Sequence, residues 1–118
     1  MSYDLHFTVD SGLVETREPH VLRGGTYVIG PTKDAWLNIT YNYSKIFDRV
    51  FGERGIRSLY GKNAGYLVHL LDEAIPLLNP NTRTENYWDQ TEGNARAALC
   101  DLRELCKLVP PDSILIGD

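Results

Sequence analysis

The sequence predicts an α+β fold, a small antiparallel sheet with about three helices packed on one face. Apolar residues alternate with a period of two over much of residues 3–41. From residue 42 onward they recur at helical spacing. Strand patterns come first and helix patterns follow, without the regular alternation of a doubly wound α/β fold. A chain of 118 residues suffices for one core, so we expect a single domain, 1–118.

The strand patterns differ in clarity. "YDLHFTV" at 3–9 alternates apolar and polar residues, which is typical of a half-buried strand, and a shorter strand is predicted at 13–17. "RGG" at 23–25 predicts a turn, and "TYVIG" at 26–30 predicts a short strand that Gly30-Pro31 ends.

The segment 35–41, "AWLNITY", alternates again. Because neighbouring strand residues point to opposite faces, Leu37, Ile39 and Tyr41 should be core. Trp36, Asn38 and Thr40 should then share the opposite, open face.

Three helix patterns follow. The first begins at residues 42–44, where Asn42 or Ser44 can cap it, and ends at Gly52 or Gly55. The second is a leucine-rich stripe at 67–78, in which Pro76 should kink or end the helix, because it removes a hydrogen bond.

The third helix should start at a capping box, Asp89-x-x-Glu92. Its apolar stripe runs from Leu99 to Cys106, and Pro110-Pro111 stops it. "SILI" at 113–116 then predicts a terminal strand.

Composition narrows the classes of partner. Twelve Lys and Arg against sixteen Asp and Glu give a net charge of −4, without the basic footprint of a duplex nucleic-acid binder. The N-terminus lacks a signal-peptide pattern, and no apolar run approaches a membrane span. Cys100 and Cys106 fall on different faces of one helix, so they should stay unpaired. These features predict a cytoplasmic protein without a membrane partner.

The stretch "NITYNYS" at 38–44 contains two glycosylation sequons almost end to end, at 38–40 and 42–44. In a protein that is not secreted these are not used, and such three-residue patterns often arise by chance. We therefore interpret the stretch as the end of a strand running into the start of a helix.

Catalytic and metal-binding patterns are missing. His6, His20 and His69 lie far apart in the chain, and neither C-x-x-C nor H-E-x-x-H occurs. No G-x-S-x-G is present, and neither cysteine lies near a predicted helix N-terminus. The acidic pair at 72–73 suits the solvent-exposed face of a helix, and the pair at 89 and 92 suits a helix cap. We expect no cofactor and favour a binding role over catalysis.

The segment "GIRSLYGKNAG" at 55–65 precedes a long helix pattern. A helix N-terminus attracts anions, and Arg57 and Lys62 would add charge. The segment lacks the Walker pattern, however, because no Ser or Thr follows Lys62. An ordinary turn between helices is therefore the favoured interpretation, with a phosphate site as the alternative.

Aromatic residues and asparagines gather around the predicted junctions. Tyrosine and tryptophan rings can stack on a planar ligand, and an amide can read its edge. Tyrosine is also a normal boundary residue whose hydroxyl reaches a backbone group. Asparagine is disfavoured in mid-strand, so Asn38 should either face solvent or belong to a site or a polar network.

Three segments, "ITYNYSKIF", "GIRSLYGK" and "NYWDQTEGNARAAL", resemble a small uncharacterised family of bacterial and phage-encoded proteins. Members have a strand ending in a Tyr-Asn-Tyr/Leu-Ser motif and a later Leu-x-Gly-Lys turn before a helix. The resemblance covers roughly residues 36–104. It implies a cytosolic microbial or phage setting and carries no catalytic residue with it.

Two functions remain open. The first is a non-catalytic protein that binds a nucleotide-like or other planar anionic small molecule, which in a phage setting could sequester a signalling nucleotide. The second is an interaction or inhibitor protein with an aromatic and arginine-rich contact surface; a small enzyme comes third. In either case we expect a homo-oligomer, because the aromatic content exceeds what the core stripes use. The predicted ligand-binding residues are Trp36, Asn38, Asn42, Tyr43, Arg57, Tyr60, Lys62 and Trp88.

Overall fold

The computed structural model describes residues 2–23 and 28–118, and within them it confirms an α+β fold. Strands fill the first third of the chain and three α-helices follow. The strands are β1 Ser2–Val9, β2 Gly12–Leu13, β3 Glu15–Arg23, β4 Val28–Asp34, β5 Trp36–Thr40 and β6 Ile114–Ile116. The helices are α1 Ser44–Phe51, α2 Ala64–Ala74 and α3 Glu92–Leu108.

Instead of one sheet, the described residues form two antiparallel sheets. In the larger, which we call the central sheet, β1 pairs with β2, β5 and β6. The β1–β5 register runs from Ser2 opposite Thr40 to His6 opposite Trp36. The smaller sheet is a ribbon of β3 and β4.

The alternation predicted for β1 and β5 is confirmed. Tyr3, Leu5 and Phe7 are buried on the helix-covered face of the central sheet, together with Leu37 and Ile39 of β5. We call the opposite side of this sheet the outer face. Burial of these large side chains against the helices is the main stabilising contribution of the sheet.

The alternation fails at the end of β5. Tyr41 was predicted to be core but is only half-buried, whereas Thr40 is buried. The reason is local, because residues Tyr41–Tyr43 form a 3₁₀ turn instead of continuing the strand. The Thr40 side chain caps this turn by accepting a hydrogen bond from the Asn42 amide.

The predicted strand end at Gly30-Pro31 is wrong, since β4 runs through both residues to Asp34. Proline is tolerated there because β4 pairs only with β3 among the described residues, which leaves its other edge open. Residues 24–27 of the predicted turn and strand lie outside the described residues.

The helix ends are capped differently from the prediction. Thr91, not Asp89, is the N-cap of α3, and its side chain accepts a hydrogen bond from the Asn94 amide. Asp89 instead accepts bonds from Thr84 and Asn86 within the preceding loop. At the other end of the bundle, α2 stops at Ala74 and a 3₁₀ turn containing Pro76 follows, as predicted.

Across residues 2–23 and 28–118, none of the helices combines the length and the hydropathy that crossing a bilayer requires.

Candidate functional site

The predicted junction site places Asn38 on the outer face of the central sheet. Its Nδ2 donates to Ser2 Oγ at 2.7 Å and to Asp4 Oδ1 at 2.6 Å. The amide of Asn38 therefore belongs to a polar network between β1 and β5. Trp36 lies on the same face, half-buried, with its ring 6.5 Å from that of His6.

Asn42, Tyr43 and Trp88 meet where the chain turns into α1. Asn42 Nδ2 donates to the Trp88 carbonyl at 3.0 Å, so it ties the turn to the loop before α3 and does not cap α1. Tyr43 was expected to line an open concavity, but its ring is 1% exposed and packs against Phe47 and Tyr87. The Tyr43 hydroxyl donates to the Tyr87 carbonyl. Burial raises the Tyr43 pKa well above its ordinary value.

Arg57 lies within a separate tyrosine cluster. Its guanidinium carbon is 5.1 Å from the Tyr3 ring centre and 5.4 Å from that of Tyr41. Nη2 donates to Tyr41 Oη at 3.1 Å and Nε donates to the Asp118 carbonyl oxygen at 2.9 Å. Tyr60 Oη donates to the same oxygen at 3.4 Å, and burial raises the Tyr60 pKa to about 12. Arg57 thus fastens the segment after β6.

At the turn before α2, the main-chain N–H groups of the helix N-terminus are already hydrogen-bonded within the protein. The first amides of α2, at Ala64 and Gly65, donate to the Ser113 and Pro111 carbonyls, and the next, at Tyr66, donates to Asn63 Oδ1. Lys62 Nζ lies 5.7 Å from the Tyr66 ring centre. These contacts support the ordinary turn over the phosphate site, because the N–H groups that would bind an anion are taken.

The predicted residues therefore do not form one concavity. A cleft of about 430 Å³ lies between β5 and α3, and we call it the β5–α3 cleft. Of the predicted residues only Asn38 lines it. Its lining residues are Val28, Leu37, Asn38, Ile39, Pro80, Arg83, Tyr87, Gly93, Asn94, Arg96, Ala97, Ala98, Cys100 and Asp101.

One wall of the cleft is the loop before α3, held close to the helix by Gly93. A Cβ atom at Gly93 would overlap the main chain of Thr82 and Arg83, so only glycine permits this approach. The Gly93 amide also donates to Thr82 Oγ1 at 2.8 Å. This contact sets the position from which Arg83 reaches the cleft.

Asn94 organises the rest of the loop from inside the first turn of α3. Its Oδ1 accepts from the Thr84 amide at 2.9 Å, and its Nδ2 donates to the carbonyls of Asn86 and Asp89. The side chain is 5% exposed, and its amide is fully used by the loop. Tyr87 closes this end of the cleft, because its hydroxyl accepts a hydrogen bond from the Thr40 amide at 2.9 Å.

Two arginines supply the charge. Arg83 comes from the loop and Arg96 from α3. No described residue accepts a hydrogen bond from either guanidinium or forms an ion pair with it. Arg96 Nε is buried without a partner. Asp101 is the acidic residue of the described lining, whose charged groups sum to +1, in a chain whose net charge is −4.

The cleft also contains one of the two free thiols. Cys100 is half-buried in the lining, while Cys106 is buried in the core on another face of α3. Burial raises the Cys106 pKa to about 12, which keeps it a neutral and unreactive thiol at physiological pH.

Sequence reasoning missed Arg83, Tyr87 and Arg96 as cleft residues. The sequence around Arg83 has the composition of an ordinary polar loop. Arg96 had a detectable signal, because it borders a helix face of small residues, Gly93, Ala97 and Cys100, which differs from a typical charged solvent face.

No group of three or more His, Cys, Asp or Glu residues in the described ranges lies close enough to hold a metal ion. No protein-family model, curated protein or solved structure matches the chain.

Proposed function

We propose that this protein is a non-catalytic binding protein that holds a small planar anion in the β5–α3 cleft. The observation that carries the proposal is the pair of arginines, Arg83 and Arg96, which face one concavity without an acceptor among the described residues.

The physical reason is the cost of leaving the Arg96 guanidinium partly out of water, while the exposed Arg83 adds a second positive charge. A buried N–H without an acceptor, such as Arg96 Nε, costs free energy that an anionic ligand would recover. Guanidinium groups bind carboxylates and phosphates with two parallel hydrogen bonds, which favours an anion over a neutral ligand. The cleft volume, about 430 Å³, falls within the usual range for small-molecule sites.

Binding is favoured over catalysis because the described lining offers little acid–base chemistry. It contains no histidine, and Asp101 is its one carboxylate. Cys100 lies in the middle of α3, away from the helix N-terminus where nucleophilic cysteines are commonly found.

Calorimetric titration with phosphate-bearing and carboxylate-bearing small molecules tests the proposal. Arg83→Gln and Arg96→Gln should each weaken binding about 10-fold or more, since a charged hydrogen bond is lost. Arg54→Gln is the matched control: Arg54 is exposed, lies outside the cleft, and carries the same charge.

Cys100 provides a second readout without mutation. A bound ligand should slow the reaction of Cys100 with a thiol reagent, while Cys106 stays unreactive in the native protein with or without ligand. Equal binding by Arg83→Gln, Arg96→Gln and Arg54→Gln, together with unchanged Cys100 reactivity, would refute the proposal.

We extend the proposal to the cellular setting. The resemblance to bacterial and phage-encoded proteins and the two free cysteines support a cytosolic microbial or phage protein. The test is localisation of the tagged chain in fractionated bacterial cells, and recovery outside the cytosolic fraction would contradict it.

A second candidate function is self-association through the outer face of the central sheet. Leu13 is 74% exposed and Ile116 is 41% exposed there, with Trp36 beside His6 in the same cross-strand row. Two copies of a chain with net charge −4 repel each other, and Asp4 lies on this face. We therefore expect a dimer whose affinity rises between about 0.1 and 0.5 M salt, as the repulsion is screened.

Light scattering at high micromolar concentration measures the mass. Leu13→Asp should shift the equilibrium to monomer, whereas Leu77→Asp, at an equally exposed leucine after α2, should not. A monomer mass for the unmodified protein at both salt concentrations would exclude self-association in this range.

A further inference from the structure

The main chain of Asn38 faces the β5–α3 cleft. In an antiparallel pair, the N–H and C=O of one residue point to the same side, and alternate residues point to alternate sides. The Thr40 amide donates to Tyr87, away from β1, and the register is regular from Trp36 to Thr40. The N–H and C=O of Asn38 must therefore also point away from β1.

The contacts of β1 lead to the same orientation for the Asn38 main chain. Asp4 is opposite Asn38, and its amide donates to Asp118 Oδ1 instead of to β5. Asp4 and Asn38 are thus a non-hydrogen-bonded pair. Because the Asn38 side chain is engaged on the outer face by Ser2 and Asp4, its main chain is the part that lines the cleft.

This main-chain pair has no partner in the described part of the chain. None of the hydrogen bonds there involves the Asn38 amide or carbonyl. A donor and an acceptor therefore lie side by side on the edge of β5, in the cleft that Arg83 and Arg96 also line.

A peptide added as a strand is a poor match for this edge. Strand addition needs main-chain bonds at successive outward-facing positions. Thr40 is the next such position toward α1, and its N–H is already bonded to Tyr87. The open edge toward that end is one residue long, which suits a compact ligand.

We infer that the ligand of the β5–α3 cleft is a nucleotide, with its base edge bonded to the main-chain N–H and C=O of Asn38 and its phosphate bound by Arg83 and Arg96. This inference rests on the proposed function and adds the class of ligand. Every common base carries an adjacent acceptor and donor on its pairing edge, either a ring nitrogen with an amino group or a ring N–H with a carbonyl. The main chain of Asn38 is complementary to both arrangements.

The test measures binding by calorimetry. The first probes are the four common nucleoside 5′-monophosphates, ribose 5-phosphate and inorganic phosphate. The nucleotide that binds most tightly, called the best nucleotide, is then compared with its derivative methylated on the ring nitrogen of the pairing edge. The best nucleotide should bind at least about 10-fold more tightly than ribose 5-phosphate, the worth of two neutral hydrogen bonds. The edge methyl group should remove this advantage. In ¹⁵N-labelled protein, the nucleotide should shift the Asn38 main-chain amide resonance, and ribose 5-phosphate should not.

The outcomes separate the two proposals. If ribose 5-phosphate and all nucleotides bind equally and Arg96→Gln weakens them all, the anion site stands and the nucleotide inference is wrong. If the edge-methylated nucleotide binds as well as its parent, the inference is also wrong. If no phosphate compound binds, and Arg54→Gln, Arg83→Gln and Arg96→Gln are indistinguishable from the unmodified protein toward carboxylates too, both proposals fail.

Discussion

Two asparagine side chains, those of Asn42 and Asn94, hold the loop before α3 in place. Asn42 bonds the Trp88 carbonyl, and Asn94 bonds three positions in the loop 84–89. An amide carries both donors and an acceptor, so it can replace a missing main-chain partner. Asn42, a predicted ligand contact, therefore serves the loop before α3, as does Asn94, which sequence reasoning did not single out.

Removing these amides should destabilise the protein unequally. Asn42 is exposed, so Asn42→Ala should cost about 0.5–1.5 kcal/mol, the net value of one hydrogen bond. Asn94 is buried, and Asn94→Leu would leave several polar groups of the loop without a hydrogen-bond partner. The loss of unfolding free energy should therefore reach about 2–3 kcal/mol or more. Urea unfolding measures both changes.

Asn81→Ala is the control for this pair, because the Asn81 side chain is exposed and makes no hydrogen bond among the described residues. Its effect should stay within about 0.5 kcal/mol. If Asn42→Ala is as neutral as Asn81→Ala, the bond to Trp88 contributes nothing to stability.

At the scale of the elements, Pro76 ends α2 instead of kinking a longer helix. The α-helix stops at Ala74, and Pro76 lies exposed in the 3₁₀ turn Ile75–Leu77. Pro76→Ala restores a main-chain N–H and makes the unfolded chain more flexible, two effects of opposite sign. We expect the fold to persist and the free energy of unfolding to change by less than about 1 kcal/mol.

Thermal unfolding and circular dichroism check this prediction. The helical signal should stay the same or rise slightly if α2 extends past residue 76. A loss of more than about 2 kcal/mol would mean that the turn after α2 depends on proline, contrary to this interpretation.

The elements that could be predicted from the sequence are those whose pattern is local and whose burial is one-sided. Alternation located β1 and β5, and the leucine stripe located α2. The ribbon of β3 and β4 was harder, because most of its described side chains are exposed and an open edge tolerates Pro31.

The β5–α3 cleft was beyond such reasoning for a physical reason. Its arginines come from a loop and a helix that only tertiary packing brings together, at a contact that Gly93 permits. Its donor and acceptor at Asn38 are main-chain groups, which have no sequence signature at all. Sequence did indicate Asn38, but through a side chain that the structure uses on the other face of the sheet.

At the scale of the whole molecule, several buried or half-buried groups far apart in the chain make stability depend on alkaline pH. Burial raises the pKa of Tyr60 and of the Cys106 thiol, each to about 12, and raises that of Tyr43 further. They belong to the Arg57 cluster, to α3 and to the core beside α1. All three are held in their neutral, protonated forms by the fold.

The sign of the effect follows from proton binding. The unfolded chain loses the Cys106 proton near pH 9 and the tyrosine protons near pH 10, while the folded chain keeps them. The folded state therefore binds more protons above pH 9, and stability must fall as pH rises from there toward 12. Below pH 9 these groups contribute their full stabilisation.

We expect the contribution of these groups to the free energy of unfolding, measured in urea, to stay constant up to about pH 8.5. The free energy of unfolding should then decline steadily from pH 9 to 11. Cys106→Ala should move the onset of the decline upward, toward the tyrosine range near pH 10, even though the smaller side chain lowers stability at every pH. Cys100→Ala, which removes the half-buried thiol of the cleft, is the matched control for the loss of a sulfhydryl group. A stability that stays constant from pH 8 to 11 would show that these groups are not held neutral by burial, and that the packing around Tyr60 and Cys106 is looser than the structure describes.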